Sequence, residues 1–221
     1  MQNKAVDPSE MDKSKVYVQI GAVNPHADSS RVTPHARNFH INSFIFETGY
    51  TAQGKNVAEG LARQQKKKIM FKTSLCFPYI LARLPVVSTE NVILTPLENA
   101  VELIENRVAA LREQLETNPP RLNALHSVIQ GSVVTMVNEG PLKICETFLP
   151  PGAIDPDTGK PYDPQLIAHL KEHMSAFVRM CGFAIRLSKS LISSEHIPFQ
   201  NMVETKYLPL KETVSKYIEE Q

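Results

Sequence analysis

His169 and His173 stand four residues apart in HLKEH, a spacing that puts two imidazoles on one face of a helix, as two zinc ligands would need. Leu, Lys and Glu lie between them, and the sequence suggests no third ligand. Both flank an apolar seam, so they read as solvated side chains and no metal is expected. Cys76 and Cys145 could serve as nucleophiles, but each lies in an apolar run and reads as a packed thiol. Gly49 and Gly54 in TGYTAQGK are too few and wrongly spaced for a phosphate-holding loop, which leaves a hairpin turn. Arg63, Lys66, Lys67 and Lys68 form a basic cluster that could meet an acidic protein or membrane surface, although a solvated turn or strand edge is the plainer reading. Phe77, Pro78 and Tyr79 set two aromatics around a proline, suited to core packing or to anchoring a partner. No acid–base pair emerges. Any catalysis would have to proceed without titratable side chains.

One stretch has no place in that inventory. In QGSVVTMVNEGP (130–141), Val133, Val134, Met136 and Val137 lie between Gly131 and Gly140, with amphipathic helix on either side. Loops between helices are normally polar, and apolar side chains are kept for packed faces. The segment is therefore either a plug tucked into the bundle or an apolar probe offered to a partner.

The elements around it fall into two halves. At 221 residues the chain makes one large domain or two lobes, and 42% hydrophobic with 21% charged residues is ordinary for a globular protein. A net charge of +1 argues against a dedicated nucleic-acid binder. No run approaches the roughly 18 apolar residues of a membrane span, so no membrane insertion is expected. The polar N-terminus lacks the apolar core of a signal peptide, and the three scattered cysteines have neither metal nor disulfide spacing. The chain reads as cytoplasmic and reduced. Opening on a flexible tail (1–14), it also reads as a piece of something longer.

From 15 to 94 the apolar residues alternate, in KVYVQIGAV (15–23), SFIFET (43–48), KKIMFKTSLCF (67–77) and RLPVVSTENVIL (83–94). Short connections favour an antiparallel sheet. At Thr95 the period changes. Thr95, Pro96 and Glu98 make a helix start with a capping box, and Leu97, Val101, Ile104, Val108, Leu111 and Leu115 form an apolar seam. Pro119 and Pro120 end that helix, and a second runs from about Arg121 to Gln130, stops at Gly131 and resumes near Pro141. After the loop 149–164, Asp163 and Pro164 start a helix carrying Ile167, Leu170, Met174, Phe177, Cys181, Ala184 and Leu191. Ser193 or Ser194 caps a last helix with Phe199, Val203, Leu210, Val214 and Tyr217, in which Pro209 should introduce a kink. The expected fold is α+β: an antiparallel sheet lobe (15–94), then an antiparallel four-helix bundle (95–221) with one helix interrupted by an insert at 131–140.

The order of FIFETGYTAQGK, FPYI, LTPLENAVELI and QGSVVTMVNEGPL over roughly nine tenths of the chain resembles the catalytic DHR2 region of the dedicator-of-cytokinesis (DOCK) guanine nucleotide exchange factors. The likeness is nearest to the zizimin-like and plant Spike-type members. It implies a DHR2 region without its first helical lobe, the sheet half being lobe B and the helical half lobe C. It also implies that the insert presents a valine nucleotide sensor to a Rho-family GTPase of the Rac, Cdc42 or Rop type. The candidates are Val137 and Val133, with Val137 favoured for its deeper place beside Asn138. Gly131, Ser132, Asn138 and Gly140 would support the loop, and Met136, Phe77, Pro78 and Tyr79 would touch the GTPase. No cofactor of its own is implied, since the chain would act on GDP, GTP and Mg²⁺ held by the partner. The missing lobe is the family's dimerisation element, so this chain is expected to be monomeric, with no exposed apolar face left once its halves pack, and its parent dimeric. Recruitment of that parent to membranes would be peripheral. NVAEGLARQQKKK stands where a glycine-richer stretch and an Arg-Arg pair are expected, which bears on the choice of GTPase. Two other readings compete: a non-catalytic scaffold that holds a GTPase or a helical partner, and a metal-dependent enzyme using the histidines.

Overall fold

A computed structural model describes residues 12–15, 21–26, 39–51, 60–81, 83–134 and 140–219. It has a four-stranded antiparallel sheet followed by helices. The strands are β1 (Asn24–Pro25), β2 (Ile41–Thr51), β3 (Gln64–Phe77) and β4 (Val86–Leu94), adjacent in chain order. β1 pairs antiparallel with β2, with Asn24 opposite Ile45 and Pro25 opposite Phe44. Most of the strand expected at 15–23 lies outside the described residues, as does the turn at Gly54; Gly49 lies within β2.

The chain divides into two units, 1–46 with 70–90 and 47–69 with 91–221. In the first, Ile41, Ile45 and Thr73 are buried, and the Phe44 and Phe77 rings meet edge to face at 5.3 Å. β4 shows the alternation its sequence suggests only at its end, where Val92 and Leu94 are half-buried; Val86 and Val87 are exposed. Among the described residues it is the last strand in the order, with a neighbour on one side only. Ile80 and Leu81, in the turn before it, are 91% and 56% exposed, so the expectation that no apolar surface would stay uncovered fails here. Short apolar runs in a turn and an edge strand have too few neighbours to bury them.

The second unit is built from α1 (Pro96–Glu116), α2 (Leu122–Ile129), α3 (Pro141–Phe148), α4 (Pro164–Leu191) and α5 (Ile197–Glu219). α1 starts where its capping box places it. The Glu98 amide donates to Thr95 Oγ1 at 3.3 Å, and the Thr95 amide donates to Glu98 Oε2 at 2.8 Å. Two of the amides that a helix start leaves unpaired are thereby satisfied. Leu97, Ala100, Val101, Ile104, Val108 and Leu111 are buried along one face, while Leu115 is only half-buried. That face packs chiefly on α4, whose Leu170, Met174, Phe177, Cys181 and Ala184 are inaccessible to solvent. Each large aliphatic side chain buried in this way contributes about 1.5–3 kcal/mol. Leu191, expected on the same stripe, is exposed at the last turn of α4.

Where α5 packs on α4, Gly182 leaves room for the Tyr207 side chain. A Cβ there would meet the Tyr207 Oη at 2.7 Å, and that hydroxyl donates to the Val178 carbonyl at 3.0 Å. The glycine costs the helix about 1 kcal/mol relative to alanine, which the interhelical bond and packing offset. α5 runs through Pro209 from Ile197 to Glu219, preceded by a short 3₁₀ turn, Ser194–His196, with Ser193 at its N-cap.

The segment 149–164 is a folded turn. The Asp155 carboxylate accepts from the Asp157 amide and the Thr158 hydroxyl, Gly159 adopts a φ of 66°, and Asp163 caps α4 by accepting from the Gln165 amide.

The capping box at α1 yields a direct test. Thr95→Ala should lower stability by about 1 kcal/mol, whereas Thr95→Ser should restore most of it. Urea denaturation should show this as a shifted midpoint at constant slope.

Candidate functional site

α2 delivers the chain to the insert. Leu125 and Ile129 anchor it in the core at 1% exposure each. The sequence suggests that the helix stops at Gly131, but it continues through Gln130–Val134 as a widened π turn. Nothing lies within 4 Å of a Cβ built on Gly131, whose φ is not positive, so neither space nor backbone requires glycine there. Its effect is to weaken the helix locally. Ser132 is buried, and Val133 and Val134 are half-buried against the helical core. Gly140 is buried as the N-cap of α3, with Pro141 at the first helical position. Met136, Val137 and Asn138 lie outside the described residues.

A polar network holds α2 in place. Ser188, fully buried on α4, donates its hydroxyl proton to Gln200 Oε1 on α5 at 2.9 Å. A hydroxyl carries one proton, so the 2.8 Å contact between Ser188 Oγ and His126 Nε2 requires the imidazole of α2 to be the donor. The Gln200 amide nitrogen donates to the Ile185 carbonyl at 3.2 Å and to Glu204 Oε1 at 2.8 Å, and Lys189 reaches the same carboxylate oxygen at 3.1 Å. The His126 ring rests on Phe199 at 4.5 Å. Burial, reinforced by the neighbouring His196, holds the His126 pKa below the ordinary histidine value. Three helices are thus tied together one turn before the insert. This is not a Ser–His nucleophile: the hydroxyl proton points away from the imidazole and the oxygen has no access to solvent.

The remaining candidates separate clearly. Cys145 and Cys181 are inaccessible, and burial pushes each thiol up to about 12, far from a reactive thiolate. Cys76 is half-buried. The basic cluster is less solvated than its sequence implies. Lys66 binds Glu47 at 3.0 Å, Lys68 binds Glu102, and Arg63 reaches Asp157 at 3.3 Å. These carboxylates are distant in sequence, which is why the cluster looked unpaired. Phe77 is half-buried, Pro78 follows a cis peptide bond, and Tyr79 is 46% exposed. His169 and His173 do acquire a third group, Glu105 of α1, whose Oε1 lies 3.6 and 3.1 Å from their Nε2 atoms.

The network predicts an acid dependence. Because the folded His126 pKa is lowered, the unfolded chain takes up the proton first as pH falls. Its contribution is intact above the ordinary value of 6.5 and is lost as pH falls through 6.5 toward the lowered folded value. His126→Gln, which keeps a donor amide, should flatten the loss of melting temperature between about pH 7.5 and 5.5. An unchanged slope would assign that acid sensitivity to other groups. Gln200→Ala strands two buried partners and should cost about 1–3 kcal/mol.

Two family models match the chain, DHR-2, Lobe B over residues 3–76 and DHR-2, Lobe C over residues 110–217. Dedicator of cytokinesis protein 6 of Mus musculus is 35% identical over 216 residues, 95% of this chain and 10% of its own length. Dedicator of cytokinesis protein 8 of Homo sapiens is 33% identical over 221 residues, 97% of this chain and 10% of its own. Dedicator of cytokinesis protein 9 of Homo sapiens is 30% identical over 220 residues, 98% of this chain and 10% of its own. The chain spans about a tenth of the length of these relatives. With lobe B sequence followed by lobe C sequence, and an α+β fold in the matching order, the chain belongs to the dedicator-of-cytokinesis family and corresponds to its DHR-2 region.

Proposed function

We propose that this chain is a guanine nucleotide exchange module that promotes GDP release from a Rho-family GTPase of the Rac, Cdc42 or Rop type. Its working part is the insert 131–140, with Val137 as the side chain that reaches toward the partner's Mg²⁺ and phosphates. The observation that carries this reading is the stem of the insert: a helix tied to two others through His126, Ser188 and Gln200, passing into a π turn and then an apolar, glycine-bounded segment. Family membership supports the same reading.

The chemistry needs no acid or base. A GTPase holds GDP largely through Mg²⁺, which neutralises phosphate charge within a tight octahedral shell of oxygen ligands. An apolar side chain pushed into that shell offers no lone pair and excludes the metal and its waters. The phosphates are then poorly compensated, and each 1.4 kcal/mol of differential destabilisation weakens nucleotide affinity about tenfold. Valine suits the task because its restricted χ1 leaves little entropy to lose. Gly131 lets the helix yield at the base of the insert. Phe77, Pro78 and Tyr79 serve as a separate contact with the GTPase, and Met136 as one beside the sensor.

GDP release from a panel of Rho-family GTPases tests the proposal. Acceleration supports exchange, binding without acceleration makes the chain a scaffold, and activity abolished by chelation of metal bound to this chain makes it a metal-dependent enzyme. The two valines should separate. Val137→Ala should slow release strongly while changing stability by less than about 0.5 kcal/mol. Val133, half-buried against the core, should cost about 1 kcal/mol as alanine and leave release largely intact. Slowed release in Val133→Ala alone would transfer the sensor role to it, and lowered melting with unchanged release in both would leave the segment a packing plug.

A further inference from the structure

Among the described residues, one cluster outside the insert converges as a ligand set does. Glu105 on α1 and His169 and His173 on α4 bring one carboxylate oxygen and two Nε2 atoms within 4.8 Å of one another. The two Nε2 atoms are 2.8 Å apart, and Glu105 Oε1 is 3.1 Å from His173 and 3.6 Å from His169. Protons alone satisfy this triangle poorly. If both Nε2 atoms carry hydrogen, they repel across the short histidine edge. If only one does, the other ring and the carboxylate face each other with lone pairs. A single cation accepts from all three. In a tetrahedral zinc shell with bonds of about 2.0–2.1 Å, ligand atoms sit about 3.3 Å apart, which the three edges bracket.

We propose that Glu105, His169 and His173 form a divalent transition-metal site, zinc by its donors, that ties α1 to α4. Two imidazoles and a carboxylate are borderline ligands suited to zinc rather than to calcium or magnesium, which take all-oxygen shells. The scaffold holds the donors in register. The two histidines are one turn apart on a single helix face, and each ligand adjoins an inaccessible residue: Ile104 beside Glu105, Leu170 beside His169 and Met174 beside His173. Side-chain exposures of 47% for His169, 40% for Glu105 and 25% for His173 leave a fourth position open to water or to a side chain of a bound partner. The site is separate from the His126–Ser188 contact at the stem of the insert: His173 and Ser188 are about 22 Å apart along α4, at 1.5 Å per residue. Its role is to brace the bundle, independent of the exchange reading.

The experiment titrates Zn²⁺ into the metal-stripped 221-residue chain against a chromophoric chelator and follows melting with and without the metal. One equivalent should bind and raise the melting temperature, and Co²⁺ in its place should give the visible absorption of a four-coordinate ion. Glu105→Gln, His169→Gln and His173→Gln should each weaken binding at least about tenfold, the low end of what losing even an indirect support of a metal costs. Each should also abolish the rise in melting, while basal GDP release stays unchanged. Uptake only at millimolar Zn²⁺, or stoichiometric uptake that survives all three substitutions, would overturn the site.

Discussion

The buried face of α4 is the constraint from which the helical unit takes its arrangement. Over five turns, from Leu170 to Ser188, this helix turns inaccessible side chains toward its neighbours. α1 lays its own seam along them, α2 packs near the C-terminal end, and α5 closes on the position that Gly182 leaves bare. A stripe of this length has one way to leave water, which is to be covered by other helices at once. The Tyr207 hydroxyl donates to the Val178 carbonyl through the space that Gly182 leaves open, so a side chain at 182 would have to displace it.

At the C-terminal end of the α4 stripe the buried polar groups are paired, and the pairing is directional. Ser188 ends the apolar stripe, and its one proton and its oxygen are committed to Gln200 and His126. Apolar contacts tolerate small slides between helices, whereas a chain of hydrogen bonds in a low-dielectric interior does not. The polar end of α4 is therefore what holds α2 in a defined position just before the π turn. Lys66 and Lys68 of β3 share Glu47 of β2 and Glu102 of α1, in partly exposed ion pairs. A rigid base beside a weakened helical turn is what the proposed mechanism calls for, in which a few apolar atoms would enter another protein's metal shell. Exchange of this kind needs stiffness behind the contact and little chemistry at it.

Much of this was legible in the residues themselves. The capping box at Thr95, the Asp163–Pro164 start, the seam of α1 and the stripe of α4 are local or periodic signals, and period and capping depend on neighbours a few positions away. The anomaly of the valines was legible for the same reason, since it breaks a local pattern, and the order of motifs carried the family. Where a helix ends was less legible: Gly131 marks a weak point, yet packing of Ser132, Val133 and Val134 carries the helix past it.

What only the tertiary structure decided are the pairings between residues far apart in the chain. Nothing in HLKEH names Glu105, nothing in QQKKK names Glu102, and Ser188 and Gln200 look like ordinary surface polars until His126 is set against them. Exposure was decided there too: the alternation of β4 promises a buried face, but an edge strand leaves Val86 and Val87 in water. The physical reason is range. Backbone conformation and amphipathic period are set by the next few residues, whereas a charge, a ligand or a hydrogen bond acquires its partner only when packing has brought distant segments to within a few ångströms.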